Sequence, residues 1–239
     1  MAKTAKLQKK FNKQFNKKTF QYLKLADKNQ NKKEWFEKNK ALYEENVRQP
    51  LEHIVHVLQK EIQKDLPGIV VHTRSISRPL RPSNRAQNGL VKNFISLHLA
   101  EKKTSMFEWN PGVYIHIGHK PEEHFLGLGL YMVSSRQMSL MRNRIAEDFS
   151  AFDEILSDKK FKKIWKGIAG DKMKKPPKGF PINQEYSDLL MHKQFYVVRL
   201  LKDADIMKKN FAETLAKELK VAMPFFKLVR TTVGTYKRN

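Results

Sequence analysis

A chain of 239 residues with 40% hydrophobic and 10% aromatic side chains can bury a sizeable core, so it reads as a folded protein and not a disordered one. It has no cysteine, which excludes disulfide frameworks, thiolate zinc sites and cysteine nucleophiles; with no signal peptide and no run near the ~18 apolar residues of a membrane span, a cytoplasmic protein without a transmembrane segment is expected. The net charge of +23 is uneven: seven lysines without an acid in residues 1–18 and nine lysines against Asp171 in Lys159–Lys178 hold +15 of it. Such clustering points either to docking surfaces for nucleic acid or another polyanion, or to solvated lysines that only keep the chain soluble.

Along the chain, residues 1–18 place Leu7, Phe11 and Phe15 four apart among lysines, the pattern of a basic amphipathic extension preceding one α+β domain over 19–236. That extension either packs on the domain or recruits the protein to a membrane or a complex. From Glu34 to about Lys64, Phe36, Tyr43, Val47, Leu51, Ile54, Leu58 and Ile62 recur at helical spacing, with a kink or a break into two helices expected near Arg48–Gln49, ahead of Pro50. After Leu66-Pro67-Gly68 the pattern turns to strands: Ile69–Ile76, Asn93–Ala100, Ser105–Trp109, Val113–Gly118 and His124–Met132. Between the first two lies a loop rich in Arg, Pro, Asn and Ser. Ser134 or Ser135 caps a helix to about Phe149, and Phe152–Ile168 continues as helix. A Pro/Gly loop over Lys174–Ile182, a short helix over Glu185–His192 and a strand over Gln194–Leu201 come next. Two terminal helices, Asp203–Lys209 and Asn210–Tyr236, end the reading, with Pro224 breaking the second. The expectation is an α+β fold: a mainly antiparallel sheet of five or six strands, packed with a long kinked N-terminal helix and several C-terminal helices.

Three blocks set Arg, Trp, Tyr, Gly and Pro at spacings that helix periodicity does not dictate. The first is Asn29-Gln30-Asn31-Lys32-Lys33-Glu34-Trp35-Phe36 with Asn39, Tyr43, Val47 and Pro50. The second is Gly127-Leu128-Gly129-Leu130-Tyr131 with Met138, Arg142 and Ile145. The third runs from Gly170-Asp171 through Pro177-Lys178-Gly179-Phe180 to Leu190 and Lys193-Gln194-Phe195. Together they resemble the domain of unknown function 2461 family, conserved hypothetical proteins of bacteria and fungi, over about Phe20–Val233. The resemblance implies no established activity. It also implies an Arg-rich segment running into an Asp-Lys pair and a Pro-Tyr-Lys; this chain keeps Arg78, Arg81 and Lys92 but reads Pro82-Ser83-Asn84-Arg85-Ala86-Gln87-Asn88-Gly89 between them. Chemistry that relatives owe to the Asp-Lys pair would be missing here.

Arg74, Arg78, Arg81, Arg85 and Lys92 lie on or beside one loop, and guanidinium forks suit phosphate or carboxylate, so these residues and Arg142 are the anion-binding candidates. If strands alternate, Ser96 and His98, Tyr114 and His116, and Gly127, Gly129 and Tyr131 each share a face. Of these, Tyr114, His116, Gly127, Gly129 and Tyr131, together with Trp35, are the pocket candidates. The glycines either leave a floor for a ligand or make room for close packing or a bulge. His116, His119 and His124, with Glu122 and Glu123, match no standard metal spacing, so neither a metal nor a cofactor is expected. GxSxG, Walker A, GxGxxG and HExxH signatures are missing from the sequence.

Three functions remain. The preferred one is a protein that binds an anionic partner, nucleic acid or a phosphorylated ligand, through its basic surface and Arg-rich loop. The second is an enzyme acting on a small anionic substrate beside the Gly127/Gly129 strand. The third is an interaction protein recruited by its basic N-terminus. Whether the chain is an enzyme, and its oligomeric state, stay open at this level.

Overall fold

The computed structural model describes residues 13–234 except 67, 102–109 and 181–183, and only the backbone at 88. Leu7 and Phe11 of the expected basic extension and the expected strand at Ser105–Trp109 lie outside the described residues. In chain order, α1 is Lys17–Lys28, α2 Lys33–Lys38 and α3 Lys40–Tyr43; a π-helical turn over Glu44–Arg48 leads into α4, Gln49–Ile62. Strands β1 (Ile95–Leu99), β2 (Gly112–Ile117) and β3 (Phe125–Leu130) follow. Then come α5 (Ser135–Glu147), α6 (Ser150–Ser157), α7 (Lys159–Trp165), β4 (Ile168–Ala169), α8 (Ser187–Leu190), β5 (Phe195–Leu200), α9 (Asp203–Ile206) and α10 (Phe211–Val233). The strands form an antiparallel sheet in the order β1-β2-β3-β5-β4, so the fold is the expected α+β class. No helix among the described residues is long and apolar enough to cross a membrane.

The chain divides into two compact units, the described parts of Met1–Leu99, Tyr114–Leu126 and Leu200–Lys217, and of Ala100–Val113, Gly127–Arg199 and Glu218–Asn239. The first unit opens with a helix that the apolar spacing did not reveal. Asn16 caps α1 by accepting from Lys18 N, while the Thr19 hydroxyl accepts from Asn16 N, a reciprocal capping pair. Pro50 lacks the N–H that an α-helix would aim at the Asn46 carbonyl. A π turn precedes it, and the buried Thr19 hydroxyl donates to that carbonyl at 2.7 Å. The α-helix is thus interrupted by a π turn where the irregularity was expected, and it is also interrupted at Asn39, whose side chain donates to Trp35 O. Tyr22, Phe36 and Tyr43 are buried, and Trp35 lies on Tyr22 with ring centroids 5.5 Å apart.

The stretch Ile69–Ile76 is not a strand. The Gln63 side chain donates to Ile69 O and accepts from Val71 N, and His72 Nδ1 accepts from Arg74 N to cap a 3₁₀ turn at Thr73–Ser75. Side chains thus capture the backbone groups that a strand ladder needs, leaving Ile76 to make an isolated bridge to Leu97. Along β1, Ile95, Leu97 and Leu99 are buried, and Ile115 and Ile117 of β2 match them. The intervening residues carry the chemistry described below.

In the second unit, Ser134 caps α5 through a reciprocal pair with buried Gln137. The expected single helix from Phe152 to Ile168 is two helices, because Asp158 accepts from Phe161 N at 2.7 Å and starts α7 afresh. It ends at Lys166, which is left-handed with φ 61°, and Gly167 with φ 134°, turning the chain into β4. Pro224 does not break α10 as expected. It and Lys220 face outward, so the carbonyl Pro224 cannot serve is on the water side, while burial of Phe225, Phe226 and Val229 holds the helix together.

Candidate functional site

The first unit gathers its chemistry around Phe94, one residue before β1. Leu80 and Val91 pair as an isolated antiparallel bridge, bringing the two ends of the Arg-rich loop together. Arg81 N donates to Leu90 O and Lys92 N to Pro79 O, both backbone bonds near 2.9 Å. The Arg81 guanidinium turns inward, donating through Nη1 to Gly89 O at 2.7 Å, and its carbon lies 5.6 Å from the Phe94 ring centre. Lys92 Nζ sits 5.5 Å from the same centre. Two cations therefore share one aromatic ring, an arrangement favoured by the ring quadrupole and opposed by their mutual repulsion.

Among the described residues no carboxylate pairs with either group. Partial burial pushes the Arg81 pKa down; burial, then the neighbouring Arg81 charge, does the same to Lys92. Other arginines are neutralised: Arg48 by Glu52, Arg144 by Asp148, Arg199 by Glu218 and Arg230 by Glu101.

Phe94 continues into a half-buried face of imidazoles and aromatic rings. His116 lies between Phe94 and Phe125, stacked at 4.7 and 5.3 Å with interplanar angles of 26° and 11°. The Tyr114 hydroxyl is 3.3 Å from His116 Nδ1, and His98 meets the Tyr114 ring edge-on. Strand alternation thus does bring His98, Tyr114 and His116 to one face. Burial pushes both His98 and His116 down to about 4, so each imidazole is neutral at physiological pH, and it pushes the Tyr114 hydroxyl up. These groups can offer hydrogen bonds without adding charge. Phe94 and Phe125 were not among the sequence candidates; the signal available was parity, since Phe94 alternates with Ser96 and His98.

A second set of contacts fixes the loop beneath this face. Val91 N donates to Gln30 O at 2.7 Å, and Gly89 approaches Gln30 so closely that a Cβ there would lie 2.5 Å from Gln30 Cβ. Only a residue without a side chain, tolerant of φ 82°, fits. Asp27 accepts from both Gln30 Nε2 and Asn93 Nδ2 at 2.8 Å. Between residues 27–32 and Gln87 and Gly89 lies an open recess of about 550 Å³ lined largely by amides. The Asn29-Gln30-Asn31 segment therefore holds in place the loop from which Arg81, Lys92 and Phe94 rise.

A family model described as conserved hypothetical protein (DUF2461) matches residues 18–228. The chain belongs to the DUF2461 family. No curated protein and no solved structure matches it.

The structure gives the other DUF2461 residues varied positions. Arg74, Arg78 and Arg85 are exposed, so of the five loop cations only Arg81 and Lys92 are drawn to Phe94. In the second unit Arg142 donates through Nε to Leu190 O at 3.2 Å and through Nη2 to Met173 Sδ at 2.9 Å, linking α5 to the third sequence block. Gly127 is buried in β3. A Cβ on Gly129 would lie 2.5 Å from Phe195 O, so the space its missing side chain leaves is taken by the backbone of β5. Tyr131 is 67% exposed and meets Tyr196 edge-on at 5.2 Å. The histidines considered for a metal go separate ways: His116 into the ring stack, His119 to Glu123 and Asp27, and His124 to Asp203. Among the described residues no group of three or more His, Asp or Glu could hold a metal ion.

Proposed function

We propose that this DUF2461 protein binds a small anion, a phosphate or carboxylate group, at Arg81 and Lys92, with the Phe94–His116 face flanking it. The observation that carries the reading is two partly desolvated cations on one phenylalanine ring with no acidic partner among the described residues. Holding like charges together costs energy, and an anion placed between them removes that cost while receiving hydrogen bonds from a guanidinium fork and an ammonium. The neutral imidazoles and the Tyr114 hydroxyl supply uncharged partners for the remainder of a ligand. The amide-lined clamp at Asn29–Asn31 pre-orders the loop, lowering the entropy lost on binding.

Titration of the full chain with inorganic phosphate and with citrate, followed by NMR of the histidine ring and lysine Hε signals, tests this. The expected result is saturable shifts at His116 and Lys92, abolished in Arg81→Gln and Lys92→Met. No saturable shift, or identical shifts in the variants, overturns it. Lys92→Met keeps an aliphatic stem on Phe94, so loss of binding there is not loss of packing.

A further inference from the structure

The second unit displays a lysine-rich segment whose aromatic residues divide into two sets. In α7, Phe161 and Trp165 are each 1% exposed, so they belong to the core and are unavailable to a partner. Lys159, Lys160, Lys162 and Lys163 of the same helix face water, as does Lys166 at its left-handed end. After β4 the chain continues through exposed Lys174, Lys175 and Lys178. Among the described residues none of these eight lysines forms an ion pair; of the whole segment, Lys172 does so, with Asp188.

Set against this charge is a pair of tyrosines, Tyr131 exposed and Tyr196 half-buried. Ala169 of β4 pairs with Tyr196 of β5, and a Cβ at Gly170 would come within 3.0 Å of the Tyr196 ring, so that ring covers the chain midway between Lys166 and Lys172. Tyr131 stands edge-on to Tyr196 and is 67% exposed, followed by half-exposed Met132. An exposed aromatic of this size in edge contact with a second ring, beside a segment of charge +8, has the composition of a stacking platform flanked by phosphate-binding cations.

We propose that this face of the second unit binds single-stranded nucleic acid, the lysines contacting phosphates and Tyr131, backed by Tyr196, stacking on a base. The charge complementarity selects a polyanion, and the exposed ring selects one with unstacked bases over a duplex, whose bases cannot reach a side chain of this length without being opened. Sequence preference is expected to be weak, since stacking and phosphate contact read no base edges. The inference is independent of the anion site at Arg81 and Lys92, which lies in the other unit.

The test is fluorescence anisotropy of labelled oligo-dT and oligo-rU, about 20 nucleotides long, with the full chain at a series of salt concentrations. Binding at low salt that weakens linearly on a log–log plot is expected, with the slope shallower by about 0.7 for each phosphate contact removed in a Lys159/Lys160/Lys162/Lys163→Gln variant. Tyr131→Ala is expected to lose about tenfold in affinity with the slope unchanged, and Tyr131→Phe to retain it. Arg81→Gln and Lys92→Met are expected to bind the oligonucleotides as the parent does, which separates failure of this inference from failure of the anion site. Absence of binding at low salt overturns the proposal. So does a duplex of equal length binding as tightly while Tyr131→Ala changes nothing, because that pattern describes charge alone. Tyr131 is exposed, so its substitution tests contact and not folding.

Discussion

The loop around Arg81 and the lysine-rich stretch from Lys159 carry charge of the same sign and treat it in opposite ways. In the first, two cations are pulled off the surface onto one ring, and each has its pKa lowered by the burial this requires. In the second, α7 uses Phe161 and Trp165 to bury one side, and every lysine projects from the other. Concentrated charge is destabilising until a counter-charge arrives; dispersed, hydrated charge costs little and attracts only what is itself extended. The comparison teaches that net charge alone does not distinguish cations drawn partly out of water onto a ring from cations left hydrated along a helix.

Acid should separate the regions most strongly. His98 and His116 titrate at about 4 in the folded protein against ~6.5 when unfolded, so the unfolded chain binds more protons between those values. Their contribution to stability is complete above pH 6.5 and is lost as pH falls towards 4, on the order of 2–3 kcal/mol for each ring. Urea unfolding at pH 7, 5.5 and 4 measures it, and a His98→Gln/His116→Gln variant should show a distinctly flatter dependence. An equal dependence in both proteins rejects the assignment. His192 in the second unit is also lowered by burial and adds in the same direction.

Backbone strain offers the next contrast. Gly89→Ala places a methyl group against Gln30 at φ 82° and should cost about 2–3 kcal/mol, together with any response to phosphate. Gly167→Ala, at φ 134° but with open space around it, should cost only about 1 kcal/mol and leave oligonucleotide binding intact. Chemical denaturation of both variants decides; equal losses would show that the Gln30 contact yields freely. Thr19→Val strips the α1 capping partner and the donor to Asn46 O, and about 1–3 kcal/mol should be lost by the same measurement. The smallest effect has the opposite sign. Lys92→Met should raise thermal stability in phosphate-free buffer by up to about 1 kcal/mol, since it removes one of two repelling charges; a fall would mean the ammonium contributes to folding.

Much of the fold was legible because burial writes a period into the sequence. Asn93–Ala100 and Val113–Gly118 alternate as strands do, and these two and Gln194–Leu201 each overlap an observed strand. Ile69–Ile76 alternates too, yet Gln63 and His72 intercept its backbone, an interaction that periodicity does not encode. Helix α1 escapes a periodicity search, because its signal is the Asn16/Thr19 cap and not a stripe. Pro224 reads as a stop in sequence but not in the fold, because a proline's effect depends on which side of the helix it faces, a tertiary fact. For the site, residue type singled out Arg81, Lys92, Tyr114 and His116. What remained hidden was selection among like residues: nothing in the sequence distinguishes Arg81, folded inward to Gly89 O, from exposed Arg78. Gly129 shows the same limit, since only the structure reveals that β5 fills its space.

The hydrogen bond from Thr19 to the Asn46 carbonyl binds the fates of two helices that are distant in sequence. Peeling α1 away would strand an acceptor that Pro50 cannot serve, so local fraying is converted into a larger opening. Amide exchange in Phe20–Ala26 should then follow the same opening free energy as that in Leu51–Leu58. A chain shortened past Thr19 would weaken the body of the first unit as well as its start.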